Sequence, residues 1–185
     1  MSNIGQQKVF ISSNIKLKFF KKSILIFGLF GNLKLNCKLP LKISKKNNMI
    51  SFYPLLNYQK KSRLKSMWGT FRIHFLNSTY GLANNYFSLL NLIGVGFKVL
   101  KKKHKLILRL GLSHQVFLKL PFNKISINKI SKRPLLFSFS SPDYDLLQSI
   151  TFFLRSFKKP EVYKGKGFSF KNELLILKEG KKVKN

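Results

Sequence analysis

The chain has 185 residues, 44% of them apolar and 19 of them Phe, which suits one moderate domain or two small ones and excludes a disordered polycation. Against that interior stand 36 Lys and Arg but only 5 Asp and Glu, a formal net charge of +31 where small soluble domains sit at a magnitude of about 2 to 8. A compact surface so charged repels itself unless a polyanion neutralises it, and the expected partner is nucleic acid.

The five acids are Asp143, Asp145, Glu161, Glu173 and Glu179, so residues 1–142 carry no carboxylate side chain. Acid–base pairs and two-metal sites need Asp or Glu converging in a pocket, and none can converge there. Cys37 is alone and His74, His104 and His114 are scattered, which excludes a disulfide and argues against zinc. The expectation is no enzyme, no cofactor and no small-molecule substrate. The most apolar run, residues 24–30, is interrupted by Gly28 and is far shorter than the roughly 20 residues a bilayer span needs. The opening MSNIGQQKVFISS has neither an apolar signal core nor an Arg-rich presequence, so no cleavable leader and no membrane insertion are expected.

In chain order, residues 9–20, 23–30, 33–37 and 49–53 are apolar runs of strand character. Ile15, Leu17 and Phe19 alternate with Lys16 and Lys18, a half-buried strand with lysines outward, and Gly31-Asn32 suits a hairpin turn. Leu64, Trp68, Phe71 and Phe75 then recur at helical spacing after Ser62, a candidate N-cap, with Lys65 and Arg72 on other faces and Gly81 as the stop. Trp68 is read as a core or rim residue.

The second half repeats the order. Residues 92–100, 105–112, 115–120 and 135–139 read as strands, with Leu106, Leu108 and Leu110 alternating against Ile107 and Arg109. Ser141-Pro142-Asp143 opens a second helix, on which Leu146, Ile150, Phe153 and Phe157 mark the apolar face and Pro160 ends the run. The fold class is therefore α+β: two similar modules, each an antiparallel sheet with one helix packed on it, over residues 1–82 and 83–159, followed by a basic arm over 160–185.

Three segments carry candidate contacts. LIGVGFKV contains Gly94 and Gly96, but no helix and no ribose-binding acid follow, so the pair marks a bulge or a close backbone approach to protein or RNA and not a dinucleotide site. Lys101, Lys102, Lys103 and His104 lie between two strands as a hairpin tip, where lysines with no acid nearby in sequence suit phosphate. In KKPEVYKGKGFSF, Lys158 and Lys159 precede Pro160, Tyr163 offers an aromatic face, and Lys164 and Lys166 alternate with Gly165 and Gly167. Glycine there lets the main chain approach a sugar-phosphate backbone while lysine supplies counter-charge without reading bases.

Taken together these segments resemble the large-subunit ribosomal protein six family of bacteria and organelles. LIGVGFKV resembles its LVGVGYRA, LILRLGLSHQV its LNLSLGFSHPV, and LRSFKKPEVYKGKG its LRAYRRPEPYKGKG. The match is specific over residues 87–182 and looser over 8–82, with departures at Gln115 and Val162, where the family usually has proline, and a lysine-rich insertion at 42–48. The resemblance implies two related α+β modules without catalytic activity. It implies binding to large-subunit rRNA near the stalk base and the sarcin-ricin loop, beside neighbouring large-subunit proteins, with the second module making most of the RNA contact. It carries over Gly94, Gly96, Lys158, Lys159, Tyr163, Lys164, Gly165, Lys166 and Gly167 as RNA-binding residues. A non-ribosomal basic protein on nucleic acid or a membrane surface is the rival reading. Only five of the 36 cations are Arg, and Ala83 is the single Ala, a bias of AT-rich coding that suggests an organelle-encoded protein. The mitochondrial matrix is the expected location, with a plastid or an AT-rich bacterium as the alternative.

Overall fold

Strands form where β-branched and aromatic residues alternate with polar ones, and the alternation here runs through both halves. The computed structural model describes residues 3–37, 40–55, 61–102, 105–121, 123–132 and 135–180, with the backbone only for 61–66 and 132. Lys103 and His104 of the expected hairpin tip, and the side chains of Ser62, Leu64 and Lys65, lie outside the described residues.

The first unit spans α1 (Asn3–Gln6), β1 (Val9–Phe10), β2 (Lys16–Phe20), β3 (Ser23–Gly28), β4 (Gly31–Asn36), β5 (Leu41–Lys46), β6 (Met49–Pro54) and α2 (Lys61–Asn84). Its strands divide into two antiparallel sheets, β2-β3-β4 and β1-β6-β5. The expected run over 9–20 breaks into β1 and β2, because the chain turns where the Ile15 N–H donates to the Ser12 carbonyl at 3.1 Å. The β3–β4 turn is Leu29-Phe30, not Gly31-Asn32: Gly28 pairs with Gly31, which already opens β4. Gly28 is needed there, since a Cβ would stand 2.7 Å from the carbonyl oxygen of Leu82 on α2.

Helix α2 already includes Ser62 and runs past Gly81, so neither expected boundary is the terminus. It ends at Asn84, and Asn85 just past it takes a φ of 60°, the left-handed value that asparagine tolerates. Ile24, Ile26, Ile50, Phe52, Phe75 and Leu82 are fully buried, and Phe52 meets the edges of Phe71 and Phe75 at centroid distances of 5.3 and 5.0 Å. Trp68 is core: its Nε1–H donates to the Phe52 carbonyl at 2.9 Å. Arg72 is buried as well, with Nε and Nη2 donating to the carbonyls of Gln7 (3.3 Å) and Lys8 (3.4 Å), which gives the guanidinium two acceptors and ties α2 to the segment between α1 and β1.

The second unit begins at Tyr86 and repeats the plan. It contains β7 (Tyr86–Ile93), β8 (Lys98–Lys102), β9 (Lys105–Arg109), β10 (Val116–Lys119), β11 (Ser126–Lys132), β12 (Leu135–Ser141), α3 (Tyr144–Phe157) and β13 (Gly167–Phe170). In each unit an opening strand, a three-strand meander, a hairpin and a long helix follow in that order, and the opening strand pairs with the second hairpin strand (β1 with β6, β7 with β12). The α+β fold of two similar modules is thus present, each with two sheets: β8-β9-β10 and β11-β12-β7-β13 in the second. Among the described residues strand β13 has no counterpart in the first unit. It lies within the stretch expected as an arm, yet Phe168 is buried and pairs with Leu92 of β7.

Two readings of this unit shift. Residues 92–100 are not one strand, because the chain turns at 94–97 between β7 and β8. On α3 the fully buried stripe is Leu147, Thr151 and Leu154, one position round from the expected face, while Leu146, Ile150 and Phe157 flank the core and Phe153 is exposed. Thr151 disguises that stripe; its hydroxyl donates to the Leu147 carbonyl at 3.0 Å, so a polar residue is buried satisfied. The helix starts at Tyr144, which puts Asp143 and not Ser141 at the capping position.

Candidate nucleic-acid interface

Past α3 the chain folds into a loop closed by its own main chain. The Gly165 N–H donates to the Glu161 carbonyl and the Glu161 N–H to the Lys166 carbonyl, both at 2.9 Å, and the Phe168 N–H reaches the Lys158 carbonyl at 2.8 Å. Gly167 sits where that closure is tightest: a Cβ would lie 2.5 Å from the Lys159 carbonyl oxygen and 2.8 Å from that of Lys158, and its φ is +135°. The following segment braces the loop. The Lys178 N–H donates to the Val162 carbonyl at 3.0 Å, while Glu173 pairs with Arg155 of α3 and accepts the Phe170 N–H at 3.1 Å.

The consequence is a rigid platform that holds Lys164 and Lys166 against a second turn. Gly94, Val95 and Gly96 form that turn; Gly96 has a φ of +77°, and Gly94 approaches the Phe97 ring so closely that a Cβ would meet it at 2.3 Å. Both turns line one open groove of about 750 Å³, together with Lys98 and Lys129. Its apolar wall includes Leu92, Phe97, Val99 and Leu135, and no carboxylate lines it among the described residues. Four ammonium groups over an apolar floor present positive charge to a phosphate chain and lack the planar donors that read base edges.

The structure therefore brings together Gly94, Gly96, Lys164 and Lys166, which lie some seventy positions apart in sequence. Gly165 and Gly167 shape the loop behind the groove. Lys158, Lys159 and Tyr163 do not line it; Lys159 and Tyr163 are exposed beside the loop and Lys158 is half-buried. Lys101 and Lys102 sit on β8, and the Lys101 ammonium donates to the Ile127 carbonyl at 3.3 Å, which engages it internally. Lys103 lies outside the described residues. Sequence reasoning missed Lys98, which stands inside the quoted LIGVGFKV, and Lys129 on β11. Ile125 and Ile127, both buried, were a signal for that strand, but the register shifts between Lys129 and Ser131 and interrupts the alternation. Among the described residues no group of three or more His, Cys, Asp or Glu could hold a metal ion.

Fold and groove define the class: a duplicated, strongly basic α+β protein that mounts lysines on braced loops, with no assembled metal or acid–base centre among the described residues. A scan against models of protein families gives no match. Individual relatives do match. The chain is 34% identical over 189 residues to large ribosomal subunit protein uL6 of Karelsulcia muelleri, and 31% identical over 184 residues to uL6c of Phaeodactylum tricornutum, with both chains covered in full in each case. It is 30% identical over 187 residues to uL6m of Reclinomonas americana, covering 98% of this chain and all of that one. The chain belongs to the uL6 family of large ribosomal subunit proteins. Its relatives span bacterial, plastid and mitochondrial proteins, so membership alone does not single out an organelle.

Proposed function

We propose that the protein is a structural constituent of the large ribosomal subunit that binds and positions rRNA without catalysing a reaction. Its partners are large-subunit rRNA and neighbouring ribosomal proteins. The observation that carries this reading is the convergence of Lys98, Lys129, Lys164 and Lys166 with the Gly94–Gly96 turn on one groove free of acids among the described residues. Those lysines neutralise phosphates, and the glycine turn lets a ribose-phosphate backbone lie close to the main chain. Lys102, Lys158 and Lys159 extend the cationic surface beyond the groove, and Tyr163 adds an aromatic face beside it. The family resemblance supports a placement near the stalk base and the sarcin-ricin loop, and the lysine-over-arginine bias supports a mitochondrial ribosome. Among the described residues no helix is long and apolar enough to cross a membrane.

Filter binding to large-subunit rRNA across a salt series tests the groove. Replacing both Lys164 and Lys166 by Ala should weaken binding and flatten the log K against log salt slope by roughly 1.4 to 1.8, the contribution of two phosphate contacts. An unchanged slope would remove these lysines from the interface. Protection of the sarcin-ricin loop from chemical modification in the complex tests the placement, and co-fractionation with mitochondrial large subunits after a high-salt wash tests the location. Equal affinity for duplex DNA would favour a non-ribosomal role.

A further inference from the structure

The first unit carries an outward sheet face that the groove of the second unit does not use. On β6, Ile50 and Phe52 point into the core, so Met49, Ser51 and Tyr53 face the other way. Cross-strand pairing sets Phe10 and Lys46 on either side of Met49, Ser44 beside Ser51, and Lys42 beside Tyr53. Phe10, Met49 and Tyr53 are 64%, 47% and 49% exposed, a strip of apolar side chains that flank Ser51, which their neighbours bury to 9%. The strip lies in a shallow groove of about 500 Å³ whose rim includes Lys8, Lys46, Asn47 and Asn48.

The geometry points to a second RNA-binding surface here: a platform on which unpaired nucleotides stack, with Phe10 and Tyr53 as the ring faces and Lys8, Lys42 and Lys46 as phosphate partners. It rests on the reading of the protein as rRNA-binding and extends it to a different class of RNA, single-stranded instead of structured. Charge decides the occupant. Residues 1–142 hold no acid, so this face offers an anion cations on both flanks and nothing that repels it. Aromatic faces interleaved with lysines on a sheet match single-stranded RNA, whose bases are free to stack, better than an A-form helix, which presents ribose and phosphate. Asn47, at a φ of 50°, turns the β5–β6 hairpin and sets Lys46 and Asn48 at the end of the strip. The lysine-rich segment at 42–48 is thus one wall of this platform.

The test uses the full-length protein and a fluorescein-labelled oligouridylate followed by anisotropy, with large-subunit rRNA binding measured in parallel. Replacing Phe10 and Tyr53 together by Ala should weaken oligouridylate binding about thirtyfold or more, the loss expected from two stacked bases. The salt slope should stay unchanged because no charge is removed. Tyr53→Phe should retain wild-type affinity. Both aromatic residues are exposed, and an unaltered thermal transition of each variant checks the fold. Ultraviolet crosslinking to the oligouridylate should label the peptides containing Phe10 and Tyr53. Oligouridylate binding that survives the double substitution but is abolished by Lys164→Ala with Lys166→Ala would overturn the platform. So would failure of the wild-type protein to bind the oligonucleotide while it binds large-subunit rRNA. Crosslinks from this face to another protein in assembled particles would replace RNA by a protein neighbour. Loss of rRNA binding by the wild-type protein itself would instead sink the ribosomal function.

Discussion

Substituting Gly167 by Ala attacks the braced loop without touching a charge. The added Cβ would sit 2.5 Å from the carbonyl oxygen of Lys159 and 2.8 Å from that of Lys158, whereas real contacts of this kind begin at 3.0–3.4 Å. Strand β13 and the chain leaving α3 must therefore separate by roughly half an ångström or more, which lengthens the 2.8 Å bond from the Phe168 N–H to the Lys158 carbonyl. Losing that bond costs about 1 kcal/mol, and holding a non-glycine residue at the φ of +135° costs about 1–3 kcal/mol more. Together this is about 2–4 kcal/mol out of a usual domain stability of about 5–15 kcal/mol. With a urea dependence of about 2 kcal/mol per molar, the unfolding midpoint of the second unit should fall by about 1–2 M. Affinity for large-subunit rRNA should fall as Lys164 and Lys166 lose their fixed positions, with a salt slope close to wild type. Urea titration followed by circular dichroism, with Gly96→Ala as comparator, gives the answer. At Gly96 nothing lies within 4 Å of a new Cβ, so only the backbone cost of about 1–2 kcal/mol applies. A Gly167→Ala midpoint equal to wild type would show that the close approach does not hold the loop.

Phe168→Ala should cost about 3–5 kcal/mol in chemical unfolding, because this ring is buried in the second unit's core although it follows the glycine loop. Glu173→Ala removes both the partner of Arg155 and the acceptor for the Phe170 N–H, and limited trypsin digestion should then cut after Lys171 and Lys178 markedly faster than in wild type. Trp68→Phe leaves the Phe52 carbonyl without its indole donor and should destabilise the first unit by about 1–3 kcal/mol, while rRNA binding through the groove stays unchanged. Lys98→Ala with Lys129→Ala should flatten the salt slope as much as the Lys164 and Lys166 pair, whereas Lys101→Ala, whose ammonium is bound to the Ile127 carbonyl, should move it less.

Local pattern made much of this fold legible. The repeat of strands then helix, the period-two alternation of Leu106, Leu108 and Leu110, the helical spacing of Trp68, Phe71 and Phe75, and the charge imbalance are properties of the chain alone. They were enough for an α+β duplication and a polyanionic partner. What they could not carry was anything that depends on two distant segments meeting. Leu147, Thr151 and Leu154 form the buried stripe of α3 because a hydroxyl satisfied within its own helix packs like an apolar group, and no hydropathy pattern reveals that. Strand β13 is a strand because β7 has an edge to pair with, not because GFSF has a strong preference of its own. The same holds for the groove. Glycines 94 and 96 and lysines 164 and 166 announce themselves separately as turns and cations, but Lys98 and Lys129 join them only once the β8 and β11 strands are set beside the loop after α3. Composition determines the sign of the partner, since charge adds without regard to position. Only folding determines where that charge converges, because distances between residues far apart in the chain are fixed by packing and not by order.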